Sequence, residues 1–397
     1  MTPPDFLIVG AGIYGITTAL ELHEQGHSVA ILNPDQIPHP LAASTDVSKV
    51  VRMEYGSDVE YMAMVDEAID GWHAWNDQFN DTLYHEVGVI LAVRQPMDSG
   101  ANTWEWESYQ NLQKRGHKPE RLYPEALADR YPVFDHHNYV DGFYNPRAGF
   151  AESGRVVATL TDHARQLGIA VHEGQTAEEL VQEDGKVIAV KTREGETFAA
   201  GHVIICAGAH TPYLVSDLQP FMRVTGHPVF HINPGNPQAF TPPNFAVFTA
   251  DVSKSGWYGF PLHPREKIIK IANHGPGLQL HPEHDERVVT DVDEARFRAF
   301  LAETFPSLRH DPIVYTRRCL YIDTLDGHFW IDQHPEIGNL TIGSGGSGHG
   351  FKMGPVLGRL IATAAEGGSQ RWSERFRWRH LSEDTTLEEE ARFVESD

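Results

Sequence analysis

The sequence predicts an α/β protein in which a Rossmann-type dinucleotide-binding domain is interrupted by an α+β domain built on a mainly antiparallel sheet. Three observations predict it. A strand, a glycine turn, a helix and a second strand occupy residues 5–33, the order of a βαβ unit. Residues 215–250 hold many Pro and Phe and few helix signals, and with Trp257–Phe260 and Lys267–Ile271 they read as a largely antiparallel sheet. Neither an internal repeat nor a flexible linker separates the two patterns, so the second domain is inserted into the first. The boundaries that follow are 1–58, 145–213 and 320–397 for the dinucleotide-binding domain, and 59–144 and 214–319 for the inserted, substrate-binding one.

Taken in order, Phe6–Val9 is a short apolar run, the pattern of a buried parallel strand. It leads into Gly10-Ala11-Gly12-Ile13-Tyr14-Gly15, after which Ile16, Ala19 and Leu20 recur at helical spacing. Gly26 closes that helix and Val29–Leu32 is the next strand. Met62, Val65, Ile69, Trp72, Trp75 and Phe79, spaced by three and four, predict an amphipathic helix over 59–79 whose aromatic stripe faces the core. Val87–Leu91 is strand-like, and 96–150 is polar and Pro-rich. A helix over 155–167 puts Val157, Leu160, Ala164 and Leu167 on one face, and strands follow at 169–172, 187–191 and 202–206. Residues 292–303 are helical. Beyond Cys319 come a strand pair, a glycine-rich loop at 343–350 and a helix near 354–365. The tail from Glu383, with seven carboxylates and one Arg, reads as a solvated or frayed end.

Composition excludes several classes. With 397 residues and 41% hydrophobic content the chain can bury a large interior, and two domains are expected. Lys plus Arg number 32 against 55 Asp plus Glu, a net charge of −23 that disfavours nucleic acid as a partner. No apolar run approaches the roughly 18–20 residues that span a bilayer, and Asp5 stands where a signal peptide would be basic. Two cysteines, Cys206 and Cys319, make no disulfide framework, which fits a reducing, cytoplasmic setting.

Gly10, Gly12 and Gly15 have separate mechanical duties: a tight turn, close approach of a pyrophosphate, and close packing of helix on strand. The amides of Ile13 and Tyr14 open the helix and face the phosphates with partial positive charge. The second strand ends in Asn33 where Asp or Glu is expected for the ribose; Asn33 bonds a hydroxyl without charge assistance, or Asp35 takes over. The glycines do not choose between NAD and FAD.

Further motifs narrow the field. Ser48-Lys49-Val50-Val51-Arg52-Met53-Glu54-Tyr55-Gly56 and the Trp-containing helix, Tyr258–Pro261, Lys270–His274, Cys319–Tyr321, His328–Pro335 and Gly346–Lys352 occur in this order over nearly the whole chain. This set resembles the FAD-dependent amine oxidases around monomeric sarcosine oxidase, N-methyltryptophan oxidase, pipecolate oxidase and fructosyl amino acid oxidase, within the D-amino acid oxidase-like superfamily.

The resemblance implies roles that the residues alone leave open. Cys319 by itself is a small buried hydrophobe, although Arg317 and Arg318 beside it favour a thiolate. The family attaches its flavin at this cysteine, which implies covalent FAD at Cys319, while Cys206 stays structural. Arg52 and Lys352, otherwise plain surface charges, become a clamp on the substrate carboxylate, fork and point charge respectively. Lys270 alternates with isoleucines and faces either solvent or a site; the family's lysine lies over the flavin, where a cation stabilises superoxide as oxygen is reduced. His274 orients the substrate or tunes its amine, or is a structural histidine. Tyr258 and Tyr321 form pocket walls, or core. The loop with Gly346, Gly348, His349, Gly350 and Phe351 brings backbone N–H groups to the flavin, and Thr45, Ser48, Lys49 and Gly208 complete its surroundings. Thr45 and Lys49 depart from sarcosine oxidase, which has histidine and arginine there.

The implied reaction is oxidation of an amino acid with a secondary or otherwise N-substituted amine: hydride passes to flavin N5, an imine leaves, and O₂ becomes H₂O₂. Alternatives are a deglycating oxidase of fructosyl amino acids, a flavoenzyme with a protein acceptor, and a non-catalytic flavin-binding subunit. The expected partners are a small amino acid and O₂, with no membrane or nucleic acid, in a monomer or small homo-oligomer. Among 23 histidines, His136-His137 and His281/His284 come nearest to ligand spacing, but no HExxH or CxxC set accompanies them, so no metal is expected.

Overall fold

The computed structural model describes residues 2–382 and 384–392. Its first sheet has six strands. β1 (Phe6–Val9) lies at the centre, parallel to β2 (Val29–Asn33) on one side and to His202–Ile205 on the other. Ala170–Glu173 extends the sheet beyond β2; Leu340–Ser344 and then the antiparallel Trp330–Gln333 extend the other side. The unbroken apolar run of β1 follows from burial on both faces. Ile8 and Ile31 pack toward helix α1 (Ile13–Glu24) and Gly354–Ala365. Leu7, Val9 and Leu32 pack on the opposite face with Val187 and Val190. Those valines belong to a three-stranded antiparallel sheet of Ala177–Glu183, Lys186–Thr192 and Thr197–Ala199.

The larger sheet is mainly antiparallel, as expected. Its backbone is the long pairing of Met222–Ile232 with Ile313–Thr324, which runs in register from Met222 opposite Thr324 to His231 opposite Tyr315 and then shifts, so that Ile232 faces Ile313. Ile269–Asn273, Trp257–Gly259, Val247–Ala250, Val89–Val93 and Asp141–Asn145 follow across the sheet, with one parallel junction at Val247–Ala250 against Val89–Val93. Helix α2 (Val59–Phe79) has the predicted bounds. Asp58 caps it by accepting from Tyr61 N at 3.0 Å, and Met62, Val65, Ile69 and Trp72 are fully buried.

The 96–150 stretch holds two helices that its polar composition concealed, Thr103–Lys114 and Pro124–Arg130. The buried face of the first mixes Trp104 and Leu112 with Glu105, Ser108 and Asn111, so apolar residues alone show no period. Leu167 follows the last residue of helix Ser153–Gln166 and is exposed, unlike Val157, Leu160 and Ala164. The acidic tail is not a frayed end. Its residues 384–392 return to the body of the protein, where Ala391 and Arg392 are buried; Glu383 and 393–397 lie outside the described residues. No helix among the described residues is long and apolar enough to cross a membrane.

Candidate active site

β1 delivers the chain into the glycine turn at its carboxyl end, the edge where open parallel sheets bind ligands. Gly10 has φ +104°, and a Cβ there would lie 2.4 Å from Cys206 O. At Gly15 a Cβ would lie 1.8 Å from Gly10 O, so helix and strand touch only because both positions lack one. Gly12 caps α1 in an extended conformation. The Ala11 amide donates to Asn33 Oδ1 (3.1 Å), the Ile13 amide to Ser44 Oγ (3.0 Å), and Asn33 Nδ2 to Asp35 O (2.7 Å). Asn33 thus braces the turn from behind. Tyr14 crosses from α1 to the glycine-rich loop: its hydroxyl is buried without a hydrogen-bond partner, and a Cβ on Gly346 would come within 3.3 Å of it. Gly208, with φ +54°, follows the strand beside β1.

The long antiparallel pairing aims alternate residues of Ile313–Thr324 at one face, so Arg317, Cys319 and Tyr321 point together while Arg318 points away. Arg317 Nη2 lies 3.4 Å from Cys319 Sγ, whereas Arg318 pairs with Asp293 and donates to Val288 O. The expectation that both arginines serve the thiol is therefore corrected to Arg317 alone. Burial acts to raise the Cys319 thiol pKa, but Lys49 and Arg317 outweigh it and bring the thiol below its ordinary value. Burial without such neighbours pushes Cys206 up instead.

Lys270 faces inward. Its Nζ donates to Asp46 Oδ2 and to Ser48 O, each at 2.6 Å, and sits 4.9 Å from the centre of the Phe260 ring. Burial pushes its ammonium down to about 7 against the attraction of Asp46. Asp46 also faces Lys49 Nζ at 3.4 Å and His231 Nε2 at 3.5 Å. Burial works to raise its carboxyl, yet Lys270, Lys49 and Arg317 hold it well below the carboxylate range. Thr45 Oγ1, beside Asp46, is buried without a partner. Sequence reasoning passed over Asp46, a lone acid whose partners come from three distant strands.

Arg52 and Lys352, 300 positions apart in sequence, meet around one ring. The Lys352 ammonium lies 4.6 Å and the Arg52 guanidinium 5.9 Å from the centre of Tyr55, and Arg52 also lies 5.0 Å from Trp104. Both residues are buried. Burial, reinforced by Arg52, pushes the Lys352 ammonium well below its ordinary value. Trp72 Nε1 fixes the turn by donating to Lys352 O (2.8 Å), and Phe351 stacks on Trp72. Tyr55 Oη donates to His349 Nδ1 (2.9 Å), whose Nε2 donates to Gly327 O (3.0 Å); burial takes this imidazole down to about 4, so it is neutral near pH 7.

Within the loop, the Ser347 amide donates to Ile322 O and those of His349 and Gly350 to Gly346 O. These three N–H groups serve the protein itself, which narrows the expected role of the loop to its remaining amides. Gly348, with φ +78°, would drive a Cβ to 2.4 Å from Tyr321. Tyr321 in turn stacks on His227 at 4.0 Å, and Tyr258 packs against the same small cluster. His274 Nε2 donates to Glu389 Oε1 at 2.8 Å, a partner from the tail that the sequence reading treated as solvated. Of the histidines with ligand-like spacing, His281 uses Nδ1 to accept the Glu283 amide.

One region therefore gathers a glycine turn at a helix start, a thiol beside two cations, a buried lysine with a carboxylate, and two cations around a tyrosine. A family model described as FAD dependent oxidoreductase (DAO) matches residues 5–364. L-saccharopine oxidase of Schizosaccharomyces pombe is 28% identical, the alignment covering 94% of this chain and 92% of that protein. Monomeric sarcosine oxidase of a Bacillus species is 26% identical over 92% of this chain and 93% of its own length. Among solved structures, the deglycating fructosamine oxidase Amadoriase II of Aspergillus fumigatus superimposes with a TM-score of 0.83 at 25% identity, covering 100% of this chain and 94% of that one. With the family match spanning both sheets and every cluster just described, the chain belongs to the FAD dependent oxidoreductase family.

Proposed function

We propose that the protein is an FAD-dependent oxidase of amino acids carrying an N-substituted amine, yielding an imine and H₂O₂. The observation that carries the reading is the pair of buried cations, Arg52 and Lys352, around Tyr55. Neither makes a direct ion pair among the described residues; the buried carboxylates of Glu54 and Glu389 act on them only from farther off, and two like charges buried together favour an anion that joins them directly. A substrate carboxylate is such an anion.

The residues present fit FAD. Tyr14 Oη and Thr45 Oγ1 are buried polar atoms without partners on either side of the turn, and α1 opens at Gly12 toward a pyrophosphate. Gly10, Gly12, Ile13, Tyr14, Gly15, Asn33 and Gly208 would hold the dinucleotide. Thr45, Ser48, Lys49 and the 346–352 loop would hold the ring, with Cys319 as the covalent attachment. Bound FAD supplies a two-electron acceptor for the C–H bond beside the amine and passes the electrons to oxygen.

The chain's own part is positioning and charge. Arg52 and Lys352 bind the carboxylate and so aim the C–H bond. Tyr55, Tyr258, Tyr321 and His349 exclude water. Lys270, protonated below about pH 7, places a fixed positive charge where oxygen gains an electron. The neutral His349 moves no proton at neutral pH, and no pair of free carboxylates is required. The two thiols, both unpaired, fit a cytoplasmic setting.

The test is a visible spectrum of the purified protein before and after acid precipitation, then peroxide release with sarcosine, pipecolate and a fructosyl amino acid. The reading predicts yellow protein, colour retained in the precipitate, and peroxide from at least one amine. Colour in the supernatant withdraws Cys319 as the attachment point. Protein that neither carries nor takes up FAD contradicts the whole reading.

A further inference from the structure

The helix that the polar composition concealed reaches the two cations with one face. Trp104, Ser108 and Asn111 stand at spacings of four and three along Thr103–Lys114, so they share one side of it. That side receives the turn that follows Tyr55. Gly56 is buried with φ +59°. Its amide donates to Ser108 Oγ (2.8 Å), and its carbonyl accepts from Asn111 Nδ2 (2.8 Å). Neither group has a backbone partner among the described residues. A Cβ on Gly56 would lie 2.6 Å from Trp104 Cδ1, so ring and turn meet only because the position lacks one. Ser108 is wholly buried. Lys114 Nζ lies 3.1 Å from Asn111 Oδ1; an ammonium can only donate, which fixes the orientation of the Asn111 amide.

We propose that Ser108 and Asn111 are positioning residues of the carboxylate clamp, which hold both polar groups of Gly56 and through that turn set Arg52 and Tyr55. The inference rests on the oxidase reading above and deepens it by naming what aims its cations. The connection is short. Arg52 donates to Glu54 O within the same turn, and it lies over the ring of Trp104, from the helix, as well as that of Tyr55, the residue before Gly56. Lys352 lies over the same Tyr55 ring. Any shift of the turn against the helix therefore displaces the guanidinium and the ring on which both cations rest.

The helix is itself tied to the large sheet. Ser253, just past Val247–Ala250, places its Oγ 2.9 and 3.1 Å from the two carboxylate oxygens of Glu105, and Lys254 donates to Asn102 Oδ1 (2.9 Å). The turn enters from the strand Lys49–Val51, so the two hydrogen bonds to Gly56 join the flavin side of the site to the substrate side. A buried N–H or C=O that loses its partner carries a free-energy cost, and a glycine has the widest choice of conformations in which to find another. Loss of either bond thus frees the turn. A guanidinium holds a carboxylate as a planar fork, which demands direction as well as distance. A small rotation of the turn weakens the grip on the carboxylate and leaves the rest of the substrate untouched.

The experiment uses the FAD-loaded enzyme and unreactive ligands, whose binding is read as a shift of the flavin absorbance on titration. The probes are methoxyacetate and tetrahydropyran-2-carboxylate, in which an ether oxygen replaces the amine of sarcosine and of pipecolate, and the uncharged methyl ester of each. The parent is expected to bind at least one acid at least about tenfold more tightly than its ester. In Ser108→Ala, and in Asn111→Leu, which keeps the volume and removes the donor, Kd for that acid should rise at least about fivefold. Kd for the ester should stay within about twofold, with flavin content unchanged. An acid bound as tightly by both variants as by the parent overturns the proposal and leaves the oxidase reading standing. Equal losses for acid and ester, or loss of the flavin from both variants, assign the two residues to folding alone and overturn it as well. A parent that prefers neither acid over its ester removes the clamp, and with it both the proposal and the reading beneath it.

Discussion

Replacing Asp46 by Asn keeps its shape and removes the charge that holds Lys270 protonated. The two groups are 2.6 Å apart and almost wholly buried. At an effective dielectric constant of about 20, unit charges that close attract by roughly 6 kcal/mol, an upper bound that relaxation and the neighbouring Lys49 and Arg317 reduce. A net fall of roughly 1–3 pKa units is the ordinary result of losing such a partner. Lys270 titrates at about 7 in the parent, so about half of it is charged at pH 7, and the charged fraction falls at least about fivefold in the variant. The sign follows from which form acts. If the ammonium promotes reaction with oxygen, reoxidation is fast below the Lys270 pKa and slows as pH rises through it. The assay is stopped-flow reoxidation of dithionite-reduced enzyme in oxygenated buffer from pH 5 to 9. In Asp46→Asn the rate constant at pH 7 should drop at least about fivefold and its inflection move to lower pH, while flavin reduction by substrate changes far less. An unmoved inflection with an unchanged rate would refute the assignment of the Asp46–Lys270 pair to oxygen chemistry.

Lys270→Met should slow reoxidation at every pH and abolish the inflection, read in the same stopped-flow experiment. Arg52→Ala removes one of two cations around Tyr55 and should cost about 2 kcal/mol, some thirtyfold in kcat/KM, for carboxylate-bearing amines; an equal loss on the decarboxylated amine would contradict the clamp. Cys319→Ser should leave flavin bound but release it to the supernatant on acid precipitation, measured by absorbance. Gly15→Ala forces a Cβ onto Gly10 O and should lower stability by about 2 kcal/mol or more, with yellow colour lost in proportion; full colour and unchanged melting would refute the packing argument.

Local patterns made much of the fold legible. Helix α2 could be bounded to the residue because its cap, Asp58, and its buried stripe lie within one continuous stretch. The glycine turn was readable for the same reason, since Gly10 and Gly15 constrain each other across five positions. What was not legible depended on partners far along the chain. Helix Thr103–Lys114 buries Glu105 because Ser253 donates to its carboxylate, and no periodicity announces that. Asp46 gains meaning only when Lys270 and His231 arrive on neighbouring strands. The tail read as solvated because seven carboxylates in fifteen residues resemble a free end, yet Glu389 and Arg392 are held by His274 and Asp323 from the large sheet. Arg318 was misread because two adjacent arginines on a strand point to opposite faces.

The central claim, oxidation of N-substituted amino acids at a site with a carboxylate clamp, is tested most directly by anaerobic titration of the flavin absorbance. Sarcosine and pipecolate would be compared with their decarboxylated counterparts. The account predicts bleaching of the yellow band by at least one of the acids, at most feeble bleaching by its decarboxylated partner, and recovery of colour on admitting air with one H₂O₂ formed per flavin. A flavin that no N-substituted amino acid reduces, or one reduced equally well with and without the carboxylate, would contradict it.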